Sequence, residues 1–82
     1  MAEVAIRDLG VGDVDALIDL YQHLNAGDAP PPPEAVRVVF AHPGLRHFGL
    51  FEGDQLIASC NLAVIPNLTR GGSSYGVIEN VV

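Results

Sequence analysis

Apolar residues recur at helical spacing in the first half of the chain and at strand spacing in the second. Val14, Leu17, Ile18, Tyr21 and Leu24 form one stripe over Asp13 to Leu24, which predicts an amphipathic helix with Asp13 as its cap. Asn25, Gly27 and Asp28 end it. Val4-Ala5-Ile6-Arg7 precedes it as a short strand, broken by Leu9-Gly10-Val11-Gly12. Four consecutive prolines, Pro30 to Pro33, form a stiff spacer, and Pro33 suits the first turn of a second helix over Glu34 to Ala41. Val36, Val39 and Phe40 are its expected buried face, and Pro43-Gly44 its stop.

From His47 the alternation becomes that of strands. His47 to Glu52 is one, Glu52-Gly53-Asp54-Gln55 a tight turn, and Leu56 to Ile65 a longer strand. Strict alternation puts Leu56, Ala58, Cys60, Leu62 and Val64 on one face and Ile57, Ser59, Asn61, Ala63 and Ile65 on the other. Pro66-Asn67 and Arg70 to Ser74 break the chain before a final strand, Tyr75 to Val82. The predicted class is α+β, in the order β-α-α-β-β-β, with the last three strands an antiparallel meander. A chain that stops on an apolar strand leaves an unpaired edge. Residues 1–82 are therefore expected to be the N-terminal portion of one larger domain.

Composition narrows the partners. The formal charge is −6, and Arg7, Arg37, Arg46 and Arg70 are the only bases, with no lysine. A surface that tracks phosphates needs clustered Lys and Arg, so nucleic-acid binding is not expected. The longest apolar stretch, Leu62 to Ile65, is far too short to span a bilayer, and Met1 to Val4 lacks a signal-peptide pattern, so a cytoplasmic protein without a membrane partner is expected. The single cysteine, Cys60, excludes an intrachain disulfide and reads as a small buried hydrophobe. His23, His42 and His47 are too scattered for a recognisable metal set and are read as structural.

Glu79 and Asn80 are the most suggestive polar pair. They interrupt Val77-Ile78 and Val81-Val82 within an otherwise apolar strand, and neighbouring strand residues point to opposite faces. In a central strand one or both line a cleft, where desolvation raises a carboxylate's pKa and fits it to act as a general base toward an ammonium substrate; on an edge strand Glu79 simply faces solvent.

The run from Arg70 to Val82, with Leu56-Ile57-Ala58-Ser59-Cys60 and the Glu52-Gly53-Asp54 turn before it, resembles small GNAT-type (GCN5-related) N-acetyltransferases. It looks most like the glucosamine-6-phosphate N-acetyltransferases, in which a strand carrying I-E-D/N-V/I-V leads into the acetyl-CoA loop. The resemblance implies transfer of an acetyl group from acetyl-CoA to the primary amine of a small molecule or peptide. It implies Glu79 as the catalytic carboxylate, Asn80 beside the acceptor, and Val81 and Val82 as backbone partners of the pantetheine arm. Arg70 is either a solvated turn residue or, where the acceptor carries a phosphate, the group that meets it. The family's phosphate loop, R/Q-x-x-G-x-G/A, and the later strands are not in this sequence, so the chain alone is expected to be inactive. The other expectation is a non-catalytic module that forms a homodimer through an exposed Val77–Val82 strand.

Overall fold

The computed structural model describes residues 3–82. β1 (Val4–Asp8) leads through a 3-10 turn at Val11–Asp13 into α1 (Val14–Tyr21), followed by α2 (Pro33–Ala41). β2 (Leu45–Glu52), β3 (Gln55–Ile65) and β4 (Tyr75–Glu79) complete the chain, with a second 3-10 turn at Arg70–Gly72 before β4. The sheet runs β1-β2-β3-β4 with every neighbouring pair antiparallel, so the expected α+β order is the observed one.

Local chemistry accounts for the elements. Gly53 turns the β2–β3 hairpin at φ 58°, a conformation open to glycine without a Cβ penalty. α2 starts as expected: Pro33 fills its first turn, where no amide partner is needed, and the Pro32 carbonyl accepts the Ala35 and Val36 N–H groups. α1 departs at both ends. The Asp13 side chain does not cap it. Its carboxylate instead accepts two bonds from the Arg7 guanidinium and one from the Gly10 N–H, each 2.9 Å, and so ties β1 to the start of the helix. The helix also stops at Tyr21, short of Leu24, because Gln22 folds the chain back. Its side chain accepts the Gly27 N–H at 2.8 Å and donates to the Asp28 carbonyl at 3.3 Å.

One irregularity resets the faces of the sheet. Leu50 pairs with Ala58, but Phe51 pairs with Leu56, which leaves Ile57 as an extra residue in β3. Leu56 therefore joins Ser59, Asn61 and Ala63 on the helix side, while Ala58, Cys60, Leu62 and Val64 lie on the opposite side. The strict alternation expected for Leu56 to Val64 fails here.

Leu9, Leu17, Phe51 and Leu56 form the buried core, with Leu20, Tyr21 and Phe40 packed against it. Of the face expected for α2, Val36 and Phe40 are half-buried and Val39 is exposed. On the other side of the sheet, Ile6, Val64 and Ile78 are exposed beside half-buried Phe48, Leu50, Cys60 and Leu62. No helix of the described residues covers that side. Cys60 is accordingly half-buried on an open aliphatic face rather than enclosed in a core.

Candidate functional site

The end of β4 is not the continuous strand expected as far as Val82. Glu79 pairs with Asn61, and the next contact with β3 is Val82, whose N–H and C=O both pair with Ser59 at 3.0 Å. Asn80 and Val81 thus stand opposite Cys60 alone. Asn80 absorbs the extra residue in the left-handed region at φ 50°, which asparagine tolerates better than most side chains. The bulge has two consequences. Val81 makes no backbone hydrogen bond among the described residues. The alternation of ladder groups turns its N–H and C=O toward the free edge of β4. Val82, by contrast, has its backbone groups engaged, so the free pair expected of both valines belongs to Val81.

The second consequence concerns faces. Glu79 and Asn80 were expected to point to opposite sides, but both border one cavity of about 390 Å³ between the two helices and the sheet. Among the described residues β4 is the outermost strand of the sheet, and Glu79 is exposed at the cavity rim. Arg70 does not line this cavity. It lies exposed in the turn before β4, in the left-handed region at φ 51°.

The cavity floor holds two side chains read from sequence as ordinary sheet residues. His47 pairs with Asn61 in the β2–β3 register, and Asn61 pairs with Glu79 in the β3–β4 register, so the three stand in one cross-strand row. His47 is 8% exposed, and neither of its ring nitrogens has a hydrogen-bond partner within the protein. The Asn61 carbonyl oxygen is likewise unpartnered. Burial pushes the His47 pKa down from 6.5, which keeps the imidazole neutral, and the Phe40 ring stacks on it at 4.8 Å between centroids. Tyr21 also lines the cavity, its phenol pKa raised mainly by burial, so it stays protonated. The walls are apolar, formed chiefly by Leu17, Ile18, Val36 and Val39. A polar residue at a helix-side position of β2 is the sequence signal that could have flagged His47; the row itself depends on register.

On the opposite side of the sheet, Val81 and Val82 border a shallow groove of about 210 Å³ with Phe48, Leu50 and Cys60. Among the described residues no group of three or more His, Cys, Asp and Glu side chains could hold a metal ion, and no helix is long and apolar enough to cross a membrane.

No protein-family model matches the chain, and no match is found among curated proteins. Solved structures do match. A candidate acetyltransferase from Agrobacterium tumefaciens strain C58 is 40% identical over 95% of this chain, with a TM-score of 0.84. An aminoglycoside acetyltransferase from an uncultured soil metagenomic sample, solved with trehalose, superposes over 96% of the chain at TM-score 0.82 and 13% identity. A protein of Clostridium acetobutylicum assigned as an acetyltransferase and solved with acetyl-CoA matches over 98% at TM-score 0.66 and 23% identity. The chain spans 57%, 55% and 59% of these three proteins respectively. Its fold is that of GNAT-type acetyltransferases.

Proposed function

We propose that this chain forms the acceptor side of a GNAT N-acetyltransferase that moves an acetyl group from acetyl-CoA to a primary amine. The observation that carries this reading is the Asn80 bulge. It leaves the Val81 backbone pair free at the β4 edge while Glu79 and Asn80 stay on the cavity that would take the acceptor. The likeness to acetyltransferases supports the class of reaction.

The chemistry follows from these positions. Acetyl-CoA supplies the activated thioester when bound, and the Val81 N–H and C=O can pair with the amide groups of its pantetheine arm as a neighbouring strand would. An amine in the cavity reaches Glu79 as an ammonium ion. The carboxylate takes one proton, the freed nitrogen forms the new C–N bond at the acetyl carbonyl, and the C–S bond breaks as the thiolate leaves and takes up the second proton that the nitrogen sheds. Asn80 borders the same opening and can hold the acceptor.

Residues 1–82 correspond to somewhat more than half of each matching protein, and we infer that groups beyond them complete the cofactor site and that the 82-residue chain transfers nothing by itself. The glucosamine-6-phosphate form of the reading is the less favoured one. No arginine or lysine lines the cavity to meet a phosphate, and Arg70 stands outside it. The test is thiol release from acetyl-CoA by the protein encoded by the intact gene, measured against a panel of amines. Amine-dependent release is expected, and its absence across the panel would end the enzyme reading.

The second reading, a homodimer formed through β4, rests on the free edge of that strand, where Ile78 is 66% exposed. Sedimentation of the intact protein separates the two: a concentration-dependent dimer abolished by Ile78→Lys supports self-pairing, and a monomer that binds acetyl-CoA opposes it.

A further inference from the structure

The cavity floor says more about the acceptor than its amine. His47, Asn61 and Glu79 occupy matching positions on three adjacent strands. Neighbouring strands lie about 4.8 Å apart, so the row extends for about 10 Å from the rim at Glu79 to the interior at His47. Both ring nitrogens of His47 and the side-chain oxygen of Asn61 lack a hydrogen-bond partner within the protein. A buried polar atom left in that state costs free energy that an apolar residue at the same place would not. The ring stacking of Phe40 fixes the plane of the imidazole, so its two nitrogens are held in set directions.

The charge of the cavity limits what those groups can meet. A neutral imidazole offers one donor and one acceptor, and the Asn61 amide adds an acceptor with no partner. No Lys or Arg lines the space, so a carboxylate or phosphate on the acceptor would be buried unpaired. A second ammonium group would meet no carboxylate beyond Glu79, the one acidic side chain lining the cavity. The remaining volume is bounded by Leu17, Ile18, Val36 and Val39, which favour a hydrocarbon body.

We propose that His47 and Asn61 are specificity residues for the acceptor, which is a primary amine bearing an uncharged hydroxyl or amide group two or three carbons from its nitrogen on an apolar body. This rests on the reading of Glu79 as the group that meets the amine. The ammonium sits at Glu79, the hydroxyl or amide bonds Asn61 and His47 one step further along the row, and the hydrocarbon fills the space beneath the helices.

The test is a binding experiment that needs no acetyl-CoA. The intact protein, carrying 13C-labelled histidine, is titrated with phenylalaninol and with its deoxy analogue 1-phenylpropan-2-amine, and the imidazole signals are followed by NMR, that of His47 being assigned by its loss in His47→Phe. The His47 signal is expected to move on addition of phenylalaninol, with His23 and His42 as internal references. Affinity for phenylalaninol is expected to exceed that for the deoxy amine by about tenfold or more, the scale of one buried hydrogen bond. Asn61→Leu, which fills the same space without a polar atom, should keep the fold and bring the ratio close to one. Equal affinity for the two amines, no movement of His47 with either, or a ratio unchanged in Asn61→Leu would each overturn the proposal and assign the orphaned groups to bound water. Hydroxyl-selective binding without acetyl transfer would instead sink the transferase reading and leave the site standing.

Discussion

Val82 rejoins the β3 ladder opposite Ser59, exchanging two 3.0 Å backbone bonds with it, three residues after Glu79 pairs with Asn61 although β3 has advanced by only two. The mismatch is absorbed by Asn80 at φ 50°. It is what releases the Val81 backbone and turns Glu79 and Asn80 onto the same cavity. Asn80→Gly should therefore hold the bulge and keep stability and acetyl-CoA affinity near the parent values. Asn80→Val places a β-branched side chain in the left-handed region, at a cost of about 1–2 kcal/mol. Urea unfolding and acetyl-CoA affinity check this together. The valine variant is expected to lose both stability and cofactor affinity, whereas a valine variant that keeps both would remove the bulge from the account.

Gly49 marks the tightest point of the helix-side core. A Cβ there would come within 2.6 Å of Leu9 Cδ2 and 2.7 Å of Leu56 Cδ1, both buried side chains. Overpacking of this kind typically costs about 1–3 kcal/mol. Gly49→Ala should lower the urea midpoint accordingly, and Gly49→Ala combined with Leu56→Val should recover part of the loss. An alanine variant as stable as the parent would contradict the packing described.

Two groups set the acid response. The His47 pKa is depressed below 6.5 by burial, so as pH falls through that value the unfolded chain takes up a proton that the folded chain resists. Stability should decline as pH falls through about 6.5, and His47→Phe should flatten that part of the curve. Asp13 acts lower. Hydrogen bonds from the Arg7 guanidinium and the Gly10 N–H bring its pKa from 3.8 to about 2, so its contribution is complete above the usual carboxylate value and is lost as pH falls toward 2. Denaturant midpoints across pH for the parent, His47→Phe and Asp13→Asn separate the two windows. A flat parent profile above pH 5 would show that His47 is not held neutral.

The order of elements was legible because its punctuation is local. Four prolines, the Gly53 turn and the change of apolar period each act on neighbouring residues alone. The fate of β4 was not legible in the same way. An asparagine between Glu79 and Val81 fits a straight strand and a bulge equally well, and the choice depends on how β3 pairs with it. The extra residue at Ile57 is hidden for the same reason, and it moves Leu56 into the core and Cys60 onto an open face. His47 and Asn61 acquire their place beside Glu79 only through registers on both sides of β3, which no periodicity along one strand reveals.

The claim at the centre of the account is that the Glu79 carboxylate takes the acceptor's proton. Glu79→Gln keeps the size and hydrogen-bonding reach of the side chain and removes its basicity. Measured in the protein encoded by the intact gene, the substitution should lower kcat for amine acetylation by about 100-fold or more while leaving acetyl-CoA affinity unchanged. The residual rate should rise with pH as free amine replaces ammonium. A glutamine variant that acetylates amines at the parent rate and with the parent pH profile would contradict it.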